Sequence, residues 1–362
     1  MSGLIGMNLH VRSANAVRIF AWRHALANVL VLLVSLTPHL AMSGEACEST
    51  DHVQFICGIQ NAEDLIRVPG AKLVIASGRE SATAGTLYAI DSETRTHIKL
   101  FPNDAADRSV ARAGAAECPG PISQFQPHGI SVKQTAKDRY VLYVVGHGQR
   151  EAIEIFRLRL DDKRPSLQWA GCIPAPEGVE RFNAVTALPG EAIAVTHLPP
   201  SDSPRRGSGE IWAWSETDGW AIIPGGHISG ANGIVAAPDG NSLYVSEYFS
   251  ESLLQISLDA VPVETKTYHV GYSIDNIRWA ESGQLLLTAH DRNCDTKGRC
   301  DKGAPGAQVI AFDPQTESSS KLLFYPSQTF FPVGTVTEEV NGTLWMGGIR
   351  GTDRIVVFQE PH

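Results

Sequence analysis

The chain has 362 residues and a formal net charge of −9, and its 33 glycines and 21 prolines are spread between short apolar runs. That spread, with little helical periodicity, excludes an all-helical protein and predicts an all-β one, long enough for a single closed architecture. The acidic balance argues against nucleic acid as a partner and is compatible with binding a cation.

Taken from the start, residues 1–45 fall outside the fold. Arg12, Arg18 and Arg23 make a basic opening, residues 25–36 form a short apolar segment, and Ala41, Ser43, Gly44 and Ala46 are small. This is the pattern of a signal peptide, which predicts an exported protein, periplasmic or secreted. A retained N-terminal anchor is the alternative. No leucine stands three residues before Cys47, so a lipid-attachment motif is absent, and no later stretch could span a membrane. Residues 1–44 carry three arginines and no acid, which leaves 27 Lys+Arg against 39 Asp+Glu in the remainder, a net charge of −12.

Residues 46–362 read as one domain built from a repeated phrase: an apolar strand, a turn or polar excursion, and a second strand. The phrases begin at Lys72, Tyr140, Ala192, Gly230, Gln284 and Thr343. In the fourth, Pro238-Asp239-Gly240-Asn241 is a turn in which proline presets φ and glycine accepts a positive φ. Six such units, roughly forty to seventy residues apart, suit four strands each. The predicted fold is a six-bladed β-propeller; a pair of two-sheet sandwiches is the alternative.

The innermost strand of each blade should start about ten residues before its phrase, by the repeat. Those positions hold Glu63, His128, Asn183, Asn232, Asp275 with Asn276, and Thr335. Pseudo-symmetry predicts that they converge at one mouth of the central channel. A single Asn or Asp at a strand end usually satisfies local backbone. Six equivalent polar positions with apolar flanks point to a shared site instead. Carboxylates and amide carbonyls suit Ca2+, whereas zinc would call for more His or Cys.

These stretches resemble the paraoxonase/arylesterase family and, more widely, the calcium-dependent sugar lactonases related to senescence marker protein. The resemblance covers about residues 58–358. It rests on Glu63-Asp64-Leu65, Phe125-Gln126-Pro127-His128-Gly129-Ile130-Ser131, Val144 to His147, Ile153 to Phe156, Ala231 to Ile234 with Pro238 to Gly240, and Asp275-Asn276-Ile277. It implies a catalytic calcium held by Glu63, Asn183, Asn232, Asp275 and Asn276. It also implies a structural calcium at Asp64 and the carbonyl of Ile130, and a histidine pair, His128 and His147. Two departures stand out. Ala184 replaces an aspartate of the structural site, which puts that second ion in doubt. No cysteine follows Cys300 to tie the end of the chain to its start, so ring closure must rest on pairing between terminal strands.

The chemistry so implied is hydrolysis of carboxylic esters or lactones, with the metal polarising the carbonyl and His128, oriented by His147, or alternatively Asp275, activating water. Tyr248, Phe249, His290, Phe330, Phe331 and Thr335 are expected at the substrate rim. Gly-x-Ser-x-Gly is absent, which argues against a serine α/β-hydrolase. A non-hydrolytic propeller, ligand-binding or similar to strictosidine synthase, is the competing expectation. Cys118 and Cys172 precede their ring residues by similar distances and are expected to pair; Cys294 and Cys300 could close a polar loop; Cys47 and Cys57 are left over. Arg205-Arg206 falls in a polar loop expected to be open to proteolysis.

Overall fold

The structure, a computed structural model, describes residues 47–50, 53–81, 84–102, 118, 120–160, 164–198, 209–291 and 306–359. The expected signal peptide, the Cys294–Cys300 pair and Arg205-Arg206 lie outside them. No described helix is long and apolar enough to cross a membrane.

Each phrase folds with the strand before it and the strand after it into a four-stranded antiparallel sheet, giving the six blades of a β-propeller. Blade 1 is β2 (Ala62–Arg67), β3 (Leu73–Arg79), β4 (Gly85–Asp91) and β5 (His97–Phe101). Blade 2 is β6 (Phe125–Ala136), β7 (Arg139–Gly148), β8 (Ala152–Arg159) and β9 (Ser166–Pro174). Blade 3 is β10 (Phe182–Ala187), β11 (Ile193–His197), β12 (Gly209–Ser215) and β13 (Gly219–Ile228). Blade 4 is β14 (Ala231–Ala236), β15 (Ser242–Glu247), β16 (Ser252–Ser257) and β17 (Glu264–His269). Blade 5 is β18 (Ser273–Trp279), β19 (Leu285–His290), β20 (Gly306–Asp313) and β21 (Ser318–Pro326). Blade 6 is β22 (Val333–Val340), β23 (Thr343–Ile349) and β24 (Arg354–Gln359), completed by β1 (Val53–Cys57) from the other end of the chain.

That last strand is the closure the absence of a late cysteine demanded. β1 runs antiparallel to β24, Val53 opposite Phe358 through Cys57 opposite Arg354. Arg354, almost fully buried, stacks its guanidinium over Phe55 and Phe330, 5.3 and 4.6 Å from the ring centroids. Phe330 thus belongs to the closure. Cys47 and Cys57 pair with each other and brace the incoming strand. Cys118 and Cys172 pair as expected.

The core is six apolar wedges, one between each pair of neighbouring blades. Leu73, Ile75 and Leu87 of blade 1 meet Phe125, Leu142 and Phe156 of blade 2, for example, and Ile56, Val336 and Trp345 of blade 6 meet Leu65 and Val74 of blade 1. The central strands of each blade are buried on both faces, so their sequences read as short continuous apolar runs. Side chains of this size contribute about 1.5–3 kcal/mol each when buried. The inner strands pack side by side around the channel, and β22 returns to β2.

Candidate metal centre and active site

A β-bulge interrupts the pairing of every inner strand, and each time it falls on the ring residue. The register slips across Glu63, across His128-Gly129, across Asn183-Ala184, across Asn232-Gly233, across Asp275-Asn276 and across Thr335. A bulge frees one side chain from the up-down alternation of a strand and re-aims it. Here all six positions lie at the same mouth. Close approach of the strands depends on glycine at two of them. A Cβ on Gly129 would sit 2.6 Å from the Asn183 carbonyl oxygen, and one on Gly233 would sit 2.4 Å from that of Asp275.

Glu63, Asn183, Asn232, Asp275, Asn276 and Thr335 are all buried. The Asn276 amide donates to Glu63 Oε1 at 3.0 Å and the Thr335 hydroxyl to the Glu63 carbonyl at 2.7 Å. Asn232 hydrogen-bonds Asp275. What remains is informative. Glu63 Oε2, Asn183 Oδ1 and Asn232 Oδ1 are buried and have no hydrogen-bond partner. An orphaned buried oxygen costs about 1–3 kcal/mol, and these three, on three blades, are donors of the kind a hard cation takes. Among the described residues no three His, Cys, Asp or Glu side chains form a metal-binding group; the donors are carboxylate and amide oxygens, the set that suits calcium.

The charges agree. Burial pushes the Asp275 carboxyl well above the carboxylate range, and the nearby Glu63 charge pushes the same way. Burial would also raise Glu63, but the His128 ring, Arg79 and the Asn276 amide hold it below its ordinary value. Burial moves His128 down, only partly offset by the Glu63 carboxylate beside it.

His128 heads a relay. Its Nε2 lies 3.2 Å from Glu63 Oε1, and its Nδ1 lies 3.0 Å from His147 Nε2. His147 Nδ1 lies 2.7 Å from Glu151 Oε2, and Glu151 Oε1 accepts the Phe182 amide at 2.6 Å. The carboxylate can only accept, so it sets the proton on His147 Nδ1. His147 Nε2 then accepts from His128 Nδ1, and His128 Nε2 faces the site. Glu151 escaped the sequence reading; its one signal was a carboxylate four residues beyond His147.

The expected structural calcium fares differently. Asp64 is buried, and its carboxylate accepts the amides of Leu65 and Ile130 at 2.9 and 2.8 Å and a guanidinium hydrogen bond from Arg278. The same Arg278 reaches the Ile130 carbonyl at 3.4 Å, donates to the Leu65 carbonyl at 2.6 Å and lies 3.6 Å from Glu338. A tethered cation therefore fills the position where Asp64 and Ile130 were expected to hold a second ion, and with Ala184 in place of an acid these residues do not fit one. Below Arg278 a cavity of about 840 Å³ opens at the other end of the channel, lined by the ends of the inner strands and the turns that follow them.

Around the mouth, Tyr248 and Phe249 are half-buried in a short 3-10 turn after β15, their rings edge to face. His290 is buried; its Nε2 lies 2.7 Å from the Gly334 carbonyl, leaving Nδ1 3.4 Å from the Tyr248 hydroxyl and 3.9 Å from Asp275. Phe331 is a correction. It is 1% exposed in the wedge between blades 5 and 6, because β22 begins just beyond it and carries it inward. Thr335 is likewise buried and spends its hydroxyl on the Glu63 backbone, not at a rim.

No family model matches the chain, and no curated protein does. Solved structures match over most of its length. A candidate gluconolactonase is 14% identical with a TM-score of 0.51, over 85% of this chain and 92% of that one. A luciferin-regenerating enzyme is 12% identical with a TM-score of 0.54, over 85% and 94%. A calcium-binding protein, regucalcin from Agrobacterium tumefaciens, is 10% identical with a TM-score of 0.52, over 84% and 94%. At these identities the likeness concerns architecture alone, and it agrees with the six-bladed propeller described above.

Proposed function

We propose that the chain is an exported, calcium-dependent hydrolase of carboxylic esters or lactones. The observation that carries the reading is the trio of unpartnered buried oxygens, Glu63 Oε2, Asn183 Oδ1 and Asn232 Oδ1, beside the His128 relay. Glu63, Asn183, Asn232, Asp275 and Asn276 would hold the ion. The chemistry calcium supplies when bound is polarisation of the substrate carbonyl and stabilisation of the oxyanion that develops there. His128 Nε2 takes the proton of the attacking water. His147 and Glu151 keep its lone pair aimed at the site, and the Glu63 carboxylate 3.2 Å away stabilises the imidazolium that results. Asp275, raised by burial, serves as an ion ligand and is the alternative base. Tyr248 and Phe249 offer an apolar wall to the acyl or leaving group. Two disulfides suit an oxidising compartment, in keeping with export.

The test is turnover of phenyl acetate and a panel of γ- and δ-lactones by calcium-loaded protein, with and without chelator. Turnover abolished by chelation and restored by calcium is expected. A calcium-loaded protein inert toward every substrate would leave a ligand-binding propeller as the better description.

A further inference from the structure

Three arginines stand at the mouth of the candidate site. Arg79 ends β3, Arg350 directly follows β23, and Arg181 directly precedes β10. Arg181 is two residues before Asn183, Arg79 lies across from Asn61, two residues before Glu63, and Arg350 follows Ile349, which pairs with Val333, two residues before Thr335. Arg79 and Arg350 are tied to a common point. The Asn61 side chain donates to the Arg79 carbonyl at 2.8 Å and accepts the Gly351 amide at 2.7 Å, and Glu63 lies two residues further on.

None of the three makes a direct ion pair with a carboxylate among the described residues. Arg67, Arg150, Arg278 and Arg354 all pair with carboxylates. Arg79 donates to the neutral Gln126 amide oxygen at 3.2 Å instead, and Arg181 and Arg350 make no side-chain hydrogen bond or ion pair among the described residues. Both adopt left-handed backbone, φ +68° and +71°, a conformation that costs a non-glycine residue about 1 kcal/mol or more. Two are within electrostatic reach of the centre, and the third is within reach of one of them. Arg79 acts on Glu63 and His128, Arg350 on Asp275 and His290, and Arg181 on Arg79. In a chain of net charge −9, three arginines around one mouth with no carboxylate ion pair among the described residues are a local reversal of sign. Guanidiniums recognise carboxylate and phosphate oxygens by charge-assisted, often forked hydrogen bonds. The aromatic pair Tyr248 and Phe249 stands on blade 4, beside the blade that carries Arg181 and apart from blades 6 and 1.

We propose that the substrate is an ester or lactone carrying an additional anionic group, a carboxylate or phosphate, which Arg79, Arg181 and Arg350 hold at the mouth while the scissile carbonyl lies at the ring. This names the substrate class for the hydrolase reading and rests on it.

The test compares matched substrates on the calcium-loaded protein: the mono-4-nitrophenyl ester of glutaric acid against 4-nitrophenyl valerate, with a phosphorylated acyl ester as a third arm. The expected result is a kcat/KM at least 10-fold higher for an anionic ester, carried mainly by KM and reduced at high ionic strength. Arg181→Gln and Arg350→Gln should each shrink that ratio toward one. The third arm decides between carboxylate and phosphate. Equal kcat/KM for charged and neutral esters, or a preference that none of the Arg79→Gln, Arg181→Gln and Arg350→Gln variants alters, overturns the proposal. Should no ester turn over, the hydrolase reading has failed by itself. Calorimetric binding of glutarate and of inorganic phosphate then decides this one: binding weakened in the variants supports an anion site, and no binding to the wild type removes it.

Discussion

His147 stands between His128 and Glu151, 3.0 Å from one and 2.7 Å from the other, so a single imidazole transmits the orientation set by a carboxylate to the ring at the site. If His128 is the base, His128→Gln should lower kcat by about 10²–10⁴-fold. Glu151→Gln should cost about 10–100-fold, since it removes only the partner that fixes the tautomer. The pH–rate profile separates the roles: Glu151→Gln should move its acid limb, and His128→Gln should abolish that limb. An unaltered limb in His128→Gln would transfer the base role to Asp275.

Calcium should stabilise the fold whether or not it supports turnover. Free calcium at 100 times its Kd adds about 2.7 kcal/mol to a protein that binds it only when folded. Calorimetric melting should therefore rise by several degrees with calcium, and Asn232→Ala and Asp275→Asn should lose most of that rise. Identical melting with calcium and with chelator would remove the metal from the ring.

Arg278 predicts a stoichiometry. Equilibrium dialysis with elemental analysis should find one tightly held calcium per chain. Arg278→Met would strand Asp64 without its cation and leave Glu338 only Arg67, at a cost of about 3–5 kcal/mol. Adding Asp64→Asn to that variant should recover part of the loss in a denaturant titration. Two tight ions in the wild type would contradict the tethered cation.

Glu338 should make stability pH-dependent. Burial, only partly offset by Arg278 and Arg67, pushes its carboxyl up to about 7. A carboxyl raised on folding favours the native state fully below its unfolded value of 4.5, and that advantage is lost as pH rises through about 7. The stability of the wild type relative to Glu338→Gln should thus increase as pH falls from 8 to 5, by on the order of 2–3 kcal/mol. Parallel stability profiles for the two proteins would show that Glu338 ionises normally.

Much of this was legible in the sequence because propeller repeats advertise themselves. Runs such as Leu243-Tyr244-Val245 ahead of Leu253-Leu254 mark the buried central strands, and the equivalence of their upstream neighbours brought Glu63, Asn183, Asn232 and Asp275 together before any coordinates did. What stayed hidden depends on reach across the fold. Arg278 in Ile277-Arg278-Trp279 looks like an ordinary solvated charge, yet it is buried 214 residues from the Asp64 it pairs with. Glu151 becomes visible only once the turn after β7 folds back. Phe331 looks like a rim aromatic until the wedge it fills is built. The bulges leave no local mark either, because a slip in register is a property of two strands.

Pairing β1 with β24 joins residues some three hundred positions apart, so the circle stays open until the C-terminal strand is available. The ring oxygens come from blades all around that circle. A chain shortened by its last blade strand, or lacking the segment bearing Cys47 and Cys57, would therefore lose more than an edge. It would keep local blades but have no common centre at which their side chains meet. Such long-range pairing is slow to form, so a site that depends on it should be completed late in folding.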